Sequence, residues 1–71
     1  MSDEATKAYL SKQIKRLRDD NGYTQEHAAK RAGIYFNHYA RIERGEIMPK
    51  YETIQKLAKA YGVQPSDLLP S

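Results

Sequence analysis

The sequence predicts an all-α fold, and three observations carry that expectation. Apolar residues recur at spacings of three and four, as in Leu10, Ile14 and Leu17, which is the period of a helix with one buried face. Stretches of strand-type alternation are few. Glycines at 22, 33, 45 and 62 divide the chain into short helical segments. The 71 residues suffice for one small domain, residues 1–71, whose single core is marginal, so self-association would add stability.

Residues 1–4 carry little pattern and are expected to fray, with Asp3 and Glu4 just ahead of the positive end of a helix. The first helix is expected from Ala5 to Asn21, with Leu10, Ile14 and Leu17 inward. Asn21-Gly22 stops it, and Tyr23 packs back. Thr24 is suited to cap a second helix, Gln25 to Ala32, whose Ala28, Ala29 and Ala32 allow close approach of a neighbour. Gly33 ends that helix and Ile34 lies in the turn. A third helix starts near Tyr35 or Phe36 and ends at Gly45, with Tyr39 and Ile42 inward. Phe36, Asn37, His38, Ala40, Arg41 and Arg44 are left to face outward or sideways. Met48-Pro49 bends the following loop. A fourth helix spans Tyr51 to Tyr61 and buries Ile54, Leu57, Ala58 and Tyr61. Pro65 is placed to open a short fifth helix ending near Leu69.

Composition narrows the function classes. There is no cysteine, which excludes a disulfide framework and a Cys-based zinc site. No apolar run approaches the ~18 residues of a membrane span, and the acidic start MSDEATKAYL does not resemble a signal peptide. The expectation is a soluble cytoplasmic protein without a membrane partner. His27 and His38 are the only histidines. With no phosphate loop, no nucleophile beside a base and no metal-ligand spacing, neither catalysis nor a metal or other cofactor is expected. The net charge of +3 permits nucleic-acid binding without requiring it, a solvated mixed-charge surface being the plainer reading.

The stretch from residue 24 to 45 places two short helices around a tight turn. That is the arrangement with which a helix-turn-helix enters the major groove of DNA. Sequence is read there by outward residues near the start of the second helix of the pair: Phe36, Asn37, His38 and, one turn on, Arg41. Asn can bond two adenine atoms at once, Arg can do the same to guanine, and Phe can touch a thymine methyl. The plainer readings are a solvated amide for Asn37, a phosphate or ion-pair contact for Arg41, and a core or dimer residue for Phe36. Gln25 starts a helix whose free amides and positive dipole end can face a phosphate. Arg44, Lys50 and the amide of Tyr51 follow the reading helix and can grip the backbone beyond it; Lys50 reads equally well as an ordinary exposed lysine.

Taken together, LRDDNGYTQ at 17–25, AKRAGI at 29–34, RIERG at 41–45, Pro49 and KLAKAYGV at 56–63 resemble the Cro-like, lambda-repressor-like helix-turn-helix family, also called XRE-type regulators. The resemblance runs from about Ile14 to Leu69. It implies a compact five-helix domain with the reading unit at the second and third helices. It implies base contacts at Phe36, Asn37 and Arg41, a backbone contact at Gln25, and a structural ion pair between Arg18 and Glu43 beneath the DNA surface. Three positions depart from the family pattern. Ala28 stands for a large aliphatic, Tyr39 for a branched aliphatic, and Tyr35 for a small polar cap. The first two are expected to compensate, the Tyr39 ring filling space that Ala28 leaves.

The resulting expectation is a transcriptional regulator, a repressor, that reads a pseudo-palindromic double-stranded DNA operator as a homodimer. The dimer surface is expected in the C-terminal part, at Tyr61, Leu68 and Leu69, unless Leu68 caps the monomer core. At this length no separate ligand-sensing domain is expected. The alternative is an antitoxin-type or other protein-interaction module on the same fold. It would hold a toxin or another regulator, with DNA binding secondary or lost.

Overall fold

Leu10, Ile14, Tyr39, Ile42, Leu57 and Leu68 come from four different stretches of the chain, and all six are almost completely buried in one core. The computed structural model describes residues 3–70. Its elements are α1 (Asp3–Asn21), α2 (Gln25–Ala32), α3 (Phe36–Glu43), α4 (Tyr51–Tyr61) and a 3-10 turn at Pro65–Leu68. No helix among the described residues is long and apolar enough to cross a membrane.

Helix boundaries follow local chemistry. The Thr24 hydroxyl accepts a bond from the His27 amide at 3.1 Å, which satisfies one free donor of the first turn of α2. Gly33, at φ 72°, closes the other end, and the Ile34 amide reaches back to the Ala29 carbonyl at 3.0 Å. The same closure recurs after α3. Gly45 takes φ 74°, and the Glu46 amide reaches the Arg41 carbonyl at 3.0 Å. Tyr35 stands at the N-cap of α3 and offers no side-chain bond to it.

Packing departs from the sequence expectation at four places. Asp3 and Glu4 are helical rather than frayed, because their charges suit the first turn and Glu4 pairs with Lys7 at 2.7 Å; Met1 and Ser2 lie outside the described residues. Leu17 is only half-buried, at the rim of the core. Ala40 is buried rather than outward, because α3 packs against both α1 and α2 and needs a broad inner face. The expected fifth helix is only a four-residue 3-10 turn, carried by i to i+3 bonds such as Asp67 amide to Gln64 carbonyl at 2.9 Å.

Tyr39 is the largest fully buried side chain, and it shares the core cluster with Ala28. Its hydroxyl meets the Tyr61 hydroxyl at 2.6 Å, so two phenols enter the core without a stranded polar atom. Among the described residues no buried side-chain N or O lacks a hydrogen-bond partner. Tyr61 stacks on Tyr23 at 6.2 Å, and Arg31 lies over the Tyr23 ring at 5.2 Å, which pins the α1–α2 turn to α4.

Candidate nucleic-acid interface

Asn37, Arg41 and Arg44 follow at spacings of four and three, and all three are exposed, so they form one line along α3. Phe36, 44% exposed, stands beside the start of that line. His38 is half-buried, turned toward the side of the helix, and so is less available than its three neighbours. Tyr35 projects almost fully into solvent at 88% exposure. An open notch of about 600 Å³ lies next to Phe36, lined by Arg18, Thr24, Gln25, Glu26 and Phe36.

The inner side of α3 anchors this line. Arg18 of α1 grips the Glu43 carboxylate through two nitrogens, with Nη2 to Oε1 at 2.8 Å and Nε to Oε2 at 3.0 Å. Glu43 is 2% exposed. Arg18 also donates to the Tyr23 carbonyl at 3.1 Å, and Gln25 Nε2 donates to Glu43 Oε1 at 3.2 Å. Ser11 donates its hydroxyl to the Glu43 carbonyl. One carboxylate thus ties α1, the start of α2 and the end of α3 together. Burial pushes the Glu43 carboxyl up, but bonds from Arg18, Tyr39 and Gln25 and the Arg18 charge outweigh it and hold it below the usual carboxylate range. Burial and the bond to Tyr61 push the Tyr39 phenol far up, so it stays neutral.

The outer side is held differently. Arg41 lies 3.6 Å from Glu46, and Arg44 pairs with the same carboxylate in the loop after α3. All three side chains are about half exposed, so the attraction is screened by water and salt. Glu46 was not singled out from sequence. Its only sequence signal is an acid five and two residues beyond two arginines. Ser11 was also missed, although it stands seven residues before Arg18 and therefore on the same side of α1.

The residues expected to contact the DNA backbone come from the elements before and after α3. Gln25 is half-buried with one amide hydrogen committed to Glu43, which leaves the other for an external acceptor. Lys50 is exposed at the N-cap of α4, and Tyr51, 58% exposed, opens that helix. The expected dimer surface divides. Tyr61 is 9% exposed with its hydroxyl bound to Tyr39, and Leu68 is 0% exposed, so both belong to the subunit's own core rather than to a contact surface. Leu69 is half-buried and retains an outer edge in a cleft shared with Tyr9, Leu17 and Val63.

A helix-turn-helix family model, HTH_3, matches residues 14–68. The phage CTXphi transcriptional repressor RstR of Vibrio cholerae is 41% identical over 60 residues, covering 84% of this chain and 54% of the repressor. The regulator ImmR of Bacillus subtilis is 37% identical over 60 residues, covering 84% of this chain and 47% of ImmR. The chain therefore spans about half the length of these relatives. Among solved structures, an HTH_3 family transcriptional regulator from Vibrio cholerae superposes with a TM-score of 0.88 at 28% identity, over 94% of this chain and 38% of that one. A hypothetical transcription factor, NHTF from Neisseria, gives 0.88 at 27% identity, over 97% of this chain and 79% of its own. The ordered motifs, the four packed helices and the matched span agree: this chain belongs to the HTH_3 family of helix-turn-helix proteins.

Proposed function

We propose that the chain is a sequence-specific reader of double-stranded DNA that regulates transcription, acting as a repressor. The observation that carries this reading is the exposed line of Asn37, Arg41 and Arg44, set on a helix whose other side is clamped by Arg18 and Glu43. A rigid helix with hydrogen-bonding ends on one face suits the major groove, where Asn can read adenine and Arg guanine. Phe36 adds an apolar contact at the near end, and His38 reaches only the groove edge. Gln25, Arg44, Lys50 and the Tyr51 amide are assigned to phosphates. One relative that carries the name of repressor supports the direction of regulation.

The chain acts as a two-fold dimer on a pseudo-palindromic operator, with half-sites about 34 Å apart. Its contact surface centres on Leu69 and the neighbouring Tyr9, Leu17 and Val63. Selection of bound duplexes from a random pool tests the reading, repeated with Asn37→Ala and with Arg41→Ala. Each variant loses preference at its own base position. Unchanged preference in both refutes their role as readers.

A second reading rests on Tyr35 and Phe36, two adjacent aromatics exposed at 88% and 44%. A protein-interaction module of antitoxin type would use them to hold a partner protein. It predicts weak, salt-insensitive association with DNA, whereas a DNA reader loses affinity steeply as salt rises.

A further inference from the structure

The Asn37–Arg41–Arg44 line does not stop at the end of α3. Arg44 also lines a groove of about 380 Å³ between α1 and the loop after α3, together with Lys12, Lys15, Ser11, Gly45 and Glu4. The groove exists because that loop sits close on α1. A Cβ placed on Gly45 would lie 3.7 Å from the Ser11 Cβ, and Ser11 binds the Glu43 carbonyl. Two lysines of α1 are thereby brought beside the arginine that ends the reading line.

The charges in the groove are unevenly matched. Glu4 is held by Lys7 at 2.7 Å, and Arg44 is held by Glu46. Lys12 and Lys15 are exposed and form no ion pair among the described residues. Lys12 and Lys15 are three residues apart, hence neighbours on one side of α1. An open groove with two uncompensated ammonium groups and a guanidinium suits a phosphate, and its continuity with the reading line selects the duplex backbone as the source.

We propose that this groove seats a DNA phosphate outside the segment read by α3, so that Lys12 and Lys15 extend the footprint along the backbone. The inference rests on the DNA-reading function above. Its partner is the same duplex, and of the residues assigned to phosphates above only Arg44 lines this groove.

The test is the salt dependence of binding to the selected duplex, measured by fluorescence anisotropy in two lengths. One is trimmed to the segment read by α3, and the other carries flanking base pairs. The variants are Lys12→Ala/Lys15→Ala and a charge-matched control on α4, Lys56→Ala/Lys59→Ala. Each phosphate neutralised contributes about 0.9 to the slope of log affinity against log salt. On the long duplex the α1 pair lowers the slope by about 1 to 2 with base preference unchanged, and on the trimmed duplex it changes little. The control leaves both slopes near wild type. Equal slopes for wild type and the α1 pair on the long duplex overturn the groove while the reading function stands. An equal drop from the control also overturns it, because net charge then explains the effect. Wild-type protein that shows no sequence preference and no salt dependence removes the reading function, and the groove proposal with it.

Discussion

The two sides of α3 hold their charges in opposite ways. On the inner side Glu43 is buried, gripped by Arg18 through two nitrogens and supported by Gln25 and Tyr39. On the outer side Glu46 shares itself between Arg41 and Arg44 in solvent. An exposed pair contributes ~0–1 kcal/mol, whereas removing one partner of a buried pair costs ~3–5 kcal/mol. The difference separates scaffold from tool. The inner pair fixes the angle of the helix and has nothing to gain by exchange. The outer arginines are lightly held, so exchanging Glu46 for another anion costs little.

Substitutions on both sides of α3 probe this contrast. Glu43→Ala leaves Arg18 facing a hole and has the largest expected effect, a loss of about 3 kcal/mol or more by urea denaturation, with weaker DNA binding. An unchanged melting temperature would sink the scaffold role. The same carboxylate sets a pH dependence. Its pKa is held below the ordinary value of about 4.3 when folded, so the unfolded chain takes up the proton first. The stabilisation is therefore complete above the ordinary carboxylate range and is lost as pH falls through the folded value. Wild type loses stability across that acidic window relative to Glu43→Gln; parallel curves would show that Glu43 is not so held.

Tyr39→Phe has the middle effect. It deletes the hydroxyl that binds Tyr61 and leaves a buried Tyr61 hydroxyl short of a partner, at a cost of about 1–3 kcal/mol. Adding Tyr61→Phe recovers part of that loss, since both partners are then apolar. Strict additivity of the two would show that the phenols act independently. Glu46→Gln has the smallest effect on folding, under about 1 kcal/mol. It frees Arg41 and Arg44, and it tightens DNA binding most at low salt, where the removed negative charge is least screened. Weaker binding of this variant would mean that Glu46 positions the arginines rather than competing for them.

Legibility from sequence divides along the same line. Thr24 and Gly33 mark both ends of α2 through bonds to residues within five positions, so adjacent sequence contained the whole interaction. The Arg18 and Glu43 contact spans 25 positions and was reached only through the family resemblance. Tyr61 was expected both on the buried stripe of α4 and at a dimer surface, and Leu68 at that surface or as a cap on the core. They are buried because α4 and the 3-10 turn fold onto α1 and each other. The Glu46 bridge and the Lys12–Lys15–Arg44 groove had no usable pattern, since each depends on where the loop after α3 comes to rest.

By itself, then, the sequence determined an all-α chain, the ends of α2 and α4, the presence of α3 and the apolar stripes that meet in the core. These depend on helical period, capping and glycine backbone freedom, which act over one turn or two. Only the tertiary structure decided which side of each helix is doubly covered, which phenols meet in the core, and which charges are spent on the scaffold. Those outcomes depend on distances between elements far apart in the chain, and helix period carries no measure of them.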